Sequence, residues 1–209
     1  MARTADPAIR TALIEAAAER MATDGLEALS LRRIAADVGT TTRAVYTHFG
    51  SKDELVRAVV VEAFARLEAE VSAVPVTDDP LADMAGTSQA YRRNALANAN
   101  LYRVMFGLNP LGLRDPGGLG PIGPDDERLD IGLAAFGVMV DQAARCVDAG
   151  VLHGDPTELA LKLWSTSHGA ICLELAGFLG DHGETIYRDA TAATFAGLAR
   201  AGAASPPEL

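Results

Sequence analysis

The feature that most constrains the fold of this chain is a pair of short helical segments separated by a glycine break. Ser30 can cap a helix over residues 31–37, and Thr41 can cap a second helix that ends near Phe49. Between them, Val38-Gly39-Thr40 interrupts the helical pattern, and glycine supplies the backbone freedom that a tight turn requires. Two brief helices around such a turn predict a helix-turn-helix unit.

Longer helices are predicted on both sides of this unit. Asp6-Pro7 begins a first helix that ends at Asp24-Gly25, and Ser51 with Glu54 three residues later forms a capping box for a helix over residues 51–72. Further helical patterns cover the approximate ranges 80–99, 100–106, 125–149, 156–179 and 184–200. Because strand patterns are nearly absent, the sequence predicts an all-α fold.

We expect two domains and a short tail. Residues 1–50 are predicted to form a three-helix helix-turn-helix domain, and residues 51–200 a larger helical domain for ligand binding and dimerisation. The helix over residues 51–72 connects the two, and residues 201–209 are predicted to be disordered. Ten of the eighteen residues in 107–124 are Gly or Pro, which excludes a regular element. A plain loop is the favoured interpretation there, and a lid over a ligand entrance is the alternative.

Charge is distributed unevenly along the chain. The net charge is −10, but up to Arg57 eight Lys or Arg residues balance eight Asp or Glu residues. The whole excess of negative charge therefore lies after Arg57. A nucleic-acid-binding face is possible in the first quarter and improbable elsewhere.

The second short helix carries side chains suited to DNA. Thr42, Arg43 and Thr47 can read base edges, because arginine bonds guanine bidentately and threonine offers a hydroxyl and a methyl group. Side chains suited to phosphate oxygens lie beside them: Tyr46, His48 and Lys52. The alternative is that Tyr46 and His48 only pack, as we expect for Phe49. The free amides at the start of the next helix add an anion site.

Residues 26–61 resemble the DNA-binding domain of the TetR family of transcriptional regulators. The resemblance is carried by IAADVG followed by VYTHFGSKDEL. It implies an all-helical homodimer with an N-terminal DNA reader and a larger ligand-binding domain. It also places these residues at positions that usually touch the operator: Thr41, Thr42, Arg43, Tyr46, His48 and Lys52. At Thr40 the family usually has a small apolar residue, and at Thr42 frequently a basic one, which affects the base contacts rather than the fold.

The last two predicted helices suggest an interface. The helix after Asp155-Pro156 is apolar nearly all round, so both of its sides must be covered. This resembles the four-helix dimer interface that the final two helices form in TetR-like proteins. The residues predicted for that interface are Leu161, Leu175, Ile186, Ala193 and Phe195. Trp164, His168 and Gly169 also resemble the W-H-G pattern of one TetR C-terminal class, although core or interface packing is the favoured interpretation for Trp164 and His168.

A ligand pocket is expected between the middle helices. Its predicted lining is apolar and aromatic, which favours an apolar or aromatic ligand. The candidate residues are Tyr102, Met105, Phe106, Phe136, Met139, Trp164, His168 and Phe178.

Other classes of protein fit the sequence less well. Adjacent helical residues point about 100 degrees apart, so Ser167 and His168 do not pair as nucleophile and base. No phosphate loop, metal-ligand spacing or hydrolase motif occurs, so we expect no enzyme activity, no metal and no cofactor. Cys146 and Cys172 are predicted to be reduced thiols rather than a disulfide or redox switch. No apolar run is long enough to span a bilayer and the N-terminus lacks an apolar signal core, so a cytoplasmic protein without a membrane partner is expected.

The sequence thus predicts a ligand-responsive transcriptional regulator. We expect a homodimeric repressor that binds a palindromic double-stranded DNA operator and is released by a small-molecule effector. The alternative is a helical ligand-binding or adaptor protein that does not bind an operator. Whether regulation is positive or negative depends on operator position, which the protein sequence does not contain.

Overall fold

The computed structural model describes residues 6–108 and 127–203. Within these ranges the chain forms nine α-helices and a 3-10 turn, Gly180–His182, without an extended β-strand. The helices are α1 (Pro7–Asp24), α2 (Leu31–Asp37), α3 (Thr42–Phe49), α4 (Lys52–Ser72), α5 (Pro80–Ala97), α6 (Ala99–Phe106), α7 (Glu127–Asp148), α8 (Pro156–Leu175) and α9 (Gly183–Ala203). The predicted all-α fold is confirmed.

Local capping signals set the ends of the early helices. Thr41 Oγ1 accepts a hydrogen bond from the Ala44 N–H at 3.2 Å, and Ser51 Oγ accepts one from the Glu54 N–H at 3.1 Å. Gly50 lies between these two helices with φ 78°, a conformation that L side chains rarely adopt. Because these signals are local, the predicted bounds of α1 to α4 agree with the structure to within a residue.

The predicted helix-turn-helix consists of α2, α3 and the turn at Gly39. Gly39 has φ 70°, and the Thr40 N–H donates to the Ala35 carbonyl at 2.8 Å across the end of α2. Ile34 and Val45 are fully buried, so apolar contacts fix the packing of the two helices. The turn prediction is confirmed.

The chain divides into two compact units. The first contains α1 to α3, α4 as far as Ala65, and the segment from Asn98 that includes α6. The second contains Arg66–Ala97 and the chain from Gly132 onward. This division differs from the predicted boundary at residue 50, because α6 groups with the N-terminal helices and the last two turns or so of α4, from Arg66, group with the C-terminal ones.

In the first unit, α1 packs against both α2 and α6. Its buried face includes Leu13, Ile14 and Ala17. The Arg20 guanidinium donates to the Asp37 carboxylate, with Nη2 2.9 Å from Oδ1, and so links α1 to the end of α2. This hydrogen bond holds the pKa of the Asp37 carboxyl below its usual range.

The second unit is built around an apolar cluster between α5, α7, α8 and α9. The fully or nearly fully buried members are Met84, Ala143, Cys146, Leu152, Leu159 and Ala160. Cys146 Sγ donates to the Pro80 carbonyl at 3.3 Å, and burial raises the pKa of its thiol. Cys146 and Cys172 are both free, as predicted.

Two predictions of helix extent need correction, and the predicted loop and tail lie mostly in residues that the structure does not describe. The α8 helix ends at Leu175 rather than near Leu179, because Gly177 has φ 82° and the Phe178 N–H turns back to the Leu173 carbonyl at 3.0 Å. The α9 helix continues to Ala203, so 201–203 are helical rather than tail. Residues 109–126 and 204–209, which contain most of the predicted loop and tail, lie outside the described residues. Among the helices described, none combines the length and apolar character needed to cross a bilayer.

Candidate DNA-reading helix and ligand cavity

The α3 helix has one buried and one exposed face. Val45 and Phe49 are buried beneath it, whereas Arg43, Tyr46 and Thr47 are exposed. This alternation follows from helical spacing, which places residues 45 and 49 one turn apart on the inner side. The outer face of α3 is therefore polar, and the buried apolar side chains on its inner face anchor the helix to the unit.

Two cations on this surface have no counter-ion among the described residues. Arg43 and Lys52 make no salt bridge within that part of the chain, whereas Arg57 lies 3.6 Å from Glu54. Lys52 is the first residue of α4, where the backbone amides of a helix N-terminus lack intrahelical partners. A phosphate oxygen near this helix end could interact with the positive charge of Lys52 and accept hydrogen bonds from the backbone amides.

The Thr47 hydroxyl is partly committed within α3. Its Oγ1 donates to the Arg43 carbonyl at 2.9 Å. Because the hydroxyl proton is used in this hydrogen bond, the exposed Thr47 can offer a partner only its oxygen lone pairs and its methyl group. Those groups suit a base-edge donor and a thymine methyl.

One cation near α3 was not found by sequence reasoning. The Arg10 guanidinium lies 5.5 Å from the centre of the Phe49 ring, within cation–π range. The His48 ring lies 6.1 Å from the same ring. Arg10 belongs to α1, and no local pattern in the sequence relates it to the end of α3.

A cavity of about 280 Å³ lies inside the second unit, between α5, α7, α8 and α9. Its volume is near the lower end of the range for small-molecule sites. Most of its wall is apolar, with these large side chains: Leu81, Met84, Met139, Leu163, Trp164 and Phe195. An apolar molecule is the natural occupant of such a space.

Most polar groups at the cavity wall already have partners. Ser88 Oγ is 2.9 Å from the hydroxyl of the buried Tyr187, and Thr191 Oγ1 donates to the Tyr187 carbonyl at 2.8 Å. Thr87 Oγ1 donates to the Asp83 carbonyl at 3.0 Å. Burial raises the pKa of Tyr187, which stays a neutral phenol.

A hydrogen-bonded chain runs from the cavity into α8. Trp164 Nε1 donates to the Tyr91 hydroxyl at 2.9 Å. The same hydroxyl is 3.4 Å from His168 Nδ1. On its other side, His168 Nε2 is 3.4 Å from Cys172 Sγ. Because the indole N–H can only donate, the Tyr91 oxygen accepts from it, and the Tyr91 O–H can donate a hydrogen bond to Nδ1 of a neutral imidazole. Burial supports this state, since it lowers the pKa of His168 to about 4.

Two protein-family models match the chain, one over the helix-turn-helix region and one over most of the second unit. A family model described as bacterial regulatory proteins, tetR family, matches residues 13–59. A second, described as tetracyclin repressor-like, C-terminal domain, matches residues 84–200, which is more than half of the chain. The chain belongs to the TetR family of transcriptional regulators. It is accordingly a DNA-binding helix-turn-helix regulator and not an enzyme.

Individual relatives and solved structures are similar to the chain over most of its length. An HTH-type transcriptional regulator of Mycobacterium tuberculosis, itself described as uncharacterized, is 27% identical over 91% of this chain and 82% of its own length. A solved structure of a protein of unknown function from Rhodococcus sp. RHA1 has a TM-score of 0.72 at 25% identity, covering 95% of this chain and 100% of that one. The TetR family regulator PfmR from Thermus thermophilus shares the fold, with a TM-score of 0.72 at 21% identity over 89% of this chain and 98% of its own.

The seven residues predicted to bind DNA all lie on or beside the TetR reading helix. Those that are exposed are Thr41, Arg43, Tyr46 and Thr47, and those that are partly exposed are Thr42, His48 and Lys52. Their contact with an operator stays a prediction.

The residues predicted to bind ligand are not gathered in one place. Met139 and Trp164 line the cavity, and the Phe136 ring lies 5.9 Å from the Trp164 ring. Tyr102, Met105 and Phe106 belong to the first unit, where the Tyr102 and Phe106 rings are 4.9 Å apart. His168 does not line the cavity but contacts two residues that do: its Nδ1 is 3.4 Å from the Tyr91 hydroxyl, and its ring lies 5.6 Å from the Trp164 ring.

Phe178 is placed differently from the prediction. It is 71% exposed, because α8 ends before it, and it does not line the cavity. Sequence reasoning also missed the lining from α5 and α9 and the buried Gln142 of α7. A lone amide within an apolar helix was the available signal for Gln142.

The predicted interface residues divide into two groups. Leu161, Ile186 and Ala193 are exposed, and Leu175 is partly buried. Phe195 instead lines the cavity and packs against the apolar cluster, so its side chain is turned toward the core of its own unit.

Proposed function

We propose that this TetR family regulator is a homodimeric repressor that binds a two-fold symmetric operator and is released by a small, mostly apolar effector. The observation that carries the DNA-binding part is the polar outer face of α3, with Arg43 and Lys52 unpaired in the described part of a chain that is otherwise acidic. In this proposal Thr42, Arg43 and Thr47 read bases. Thr41, Tyr46, His48 and Lys52 hold phosphates.

A dimer is supported by apolar residues exposed on the last two helices. Leu161 and Leu173 of α8 are 43% and 48% exposed, and Ile186 of α9 is 40% exposed. Large aliphatic side chains exposed on two adjacent helices are consistent with a surface that another chain covers. In a two-fold dimer, the two α3 helices would enter successive major grooves about 34 Å apart.

The cavity is the proposed effector site. An effector bound there would favour a separation of the α3 helices that does not match the operator, and the operator would be released by population shift. The α4 helix can transmit this change, since it is continuous from Lys52 in the first unit to Ser72 in the second.

The experiment that tests this proposal measures operator binding and its release. Fluorescence anisotropy with a duplex selected from random sequence should show two chains per duplex, and a compound that fills the cavity should weaken binding. A chain that binds compounds but no DNA sequence would instead be a helical ligand-binding or adaptor protein. Binding that no cavity ligand affects would reject the ligand-responsive part alone.

A further inference from the structure

A buried amide of α7 faces the cavity. Gln142 is 6% exposed and forms part of the cavity wall. One turn along α7, Arg145 Nη1 donates to Gln142 Oε1 at 3.0 Å. Because a guanidinium has donors and no acceptor, the oxygen of the amide, and not its nitrogen, must face Arg145.

Arg145 is itself held in place by two other groups. Its Nη1 is 2.6 Å from Oδ2 of the buried Asp83, and its Nη2 donates to the Thr77 carbonyl. Asp83 in turn accepts from the Thr77 backbone N–H at 2.8 Å and from the Thr77 hydroxyl at 2.7 Å. The Arg145 guanidinium therefore cannot rotate away without leaving the Asp83 charge buried and unpaired, so the direction of the Gln142 amide is fixed.

The nitrogen of that amide has no hydrogen-bond partner among the described residues. It carries two N–H donors and, unlike Arg103 Nε, is not completely buried, so a molecule in the cavity can accept from it. The hydroxyls of Thr87, Ser88 and Thr191 are engaged within the protein. Tyr91, Trp164 and Ser167, which also line the cavity and can donate, have partners within the protein. The remaining lining donors, Gln89 and Arg188, reach solvent. Gln142 Nε2 is thus an oriented donor in an otherwise apolar cavity.

We propose that Gln142 determines effector specificity, and that the effector is an uncharged, mostly apolar molecule of about two fused rings whose carbonyl oxygen accepts from Gln142 Nε2. This inference rests on the proposed function, which makes the cavity the effector site. The size follows from the volume of about 280 Å³, nearly twice that of a cavity of about 150 Å³ that holds benzene. A carboxylate is disfavoured because the cations near the cavity already have partners. Arg145 is paired with the buried Asp83, and Arg188, which lines the cavity, is exposed to solvent and lies 3.1 Å from Asp189.

Two probes of the same shape test the proposal with the full-length chain. Tetralone and tetralin share a bicyclic skeleton and differ by the ketone oxygen. Trp164, the single tryptophan of the chain, lines the cavity, so its fluorescence reports binding of either compound. We expect tetralone to bind at least about fivefold more tightly than tetralin, as one hydrogen bond to an otherwise unsatisfied donor implies.

Variants at the two cavity glutamines locate the donor. Gln142→Met removes the donor and should equalise the affinities of the two probes. Gln142→Glu keeps an oxygen that can accept from Arg145 but removes the N–H donors, so it should also equalise the two affinities. It replaces Gln142→Met in the test if that variant does not fold. Gln89→Met, whatever it does to the two affinities, should keep the preference for tetralone.

Several results would overturn the proposal. They are equal affinities of the two probes for the native chain, no binding of either probe, or loss of the tetralone preference in Gln89→Met rather than in the Gln142 variants. Operator binding is measured separately, so the two proposals can fail independently. A Gln142-dependent preference without operator binding would reject the regulator mechanism alone. Operator binding with equal probe affinities would reject only the role of Gln142.

Discussion

Glu174 of α8 accepts two hydrogen bonds from the Arg92 guanidinium of α5, at 2.6 and 3.0 Å. The two side chains are only 15% and 12% exposed. The carboxylate also fills the space beside Gly183, where any Cβ would collide with it. This ion pair therefore fixes how α5, α8 and the start of α9 meet.

Removing the Arg92 partner should destabilise the second unit strongly. Arg92→Ala leaves the Glu174 charge buried without a counter-ion, and we expect a loss of about 3 kcal/mol in the free energy of unfolding. Urea denaturation measures it. Arg93→Ala is the matched control, because Arg93 and Glu70 are 61% and 50% exposed, and it should cost less than about 1 kcal/mol. Equal losses for the two variants would contradict this role of the pair.

Acid should destabilise the fold through His168. Burial lowers the pKa of His168 from 6.5 to about 4, so the unfolded chain binds a proton that the folded chain does not between these values. The contribution of the neutral imidazole is fully present above pH 6.5 and is lost as the pH falls toward 4. At pH 5 the expected loss is on the order of 2 kcal/mol.

Comparison with a variant isolates this effect from the titration of carboxylates. His168→Gln keeps a polar side chain but does not titrate. Its unfolding free energy should fall less between pH 7 and pH 5 than that of the native chain, by urea denaturation at each pH. The same fall in both proteins would show that His168 is not the group responsible.

The sequence predicted those parts of the structure that depend on interactions between residues close together in the chain. The turn at Gly39 and the caps at Thr41 and Ser51 involve residues within five positions of each other. In contrast, Arg92 and Glu174 are 82 positions apart, and Arg145 and Asp83 are 62 apart. The orientation of Gln142 and the polar lining of the cavity depend on such long-range pairs, so helical periodicity could not reveal them.

Arg43 and Lys52 should affect DNA binding differently. We expect Arg43→Ala to reduce discrimination at one base pair by about 1 to 3 kcal/mol, because a bidentate contact to guanine is lost. Lys52→Ala should weaken binding evenly across sequences and reduce the salt dependence. Anisotropy on operators with single base changes, at several salt concentrations, separates the two effects.

Lys162→Ala provides the control for loss of charge in that experiment. Lys162 lies on α8 and pairs with Glu158 at 3.3 Å, so its removal should leave operator affinity nearly unchanged. Uniform losses of the same size for Arg43→Ala and Lys52→Ala would refute the separate roles of base reading and phosphate binding.

The exposed aliphatic surface of α8 and α9 should be the dimer contact. Leu161→Glu and Ile186→Glu each place a charge in the proposed interface, and we expect the dimer to dissociate at micromolar concentration. Light scattering gives the mass. Val76→Glu is the control, since Val76 is 70% exposed between α4 and α5, and it should remain dimeric. A native chain that is monomeric would reject the interface altogether.

The most direct test of the account is selection of bound sequences from random duplex DNA with the purified full-length protein, at stated salt. We expect enrichment of a two-fold symmetric site with half-sites about one helical turn apart. Loss of that enrichment in a Leu161→Glu chain would further link the symmetry to the dimer. If no sequence is enriched even at low salt, or if the enriched site has no symmetry, the proposal of a dimeric operator-binding repressor is wrong.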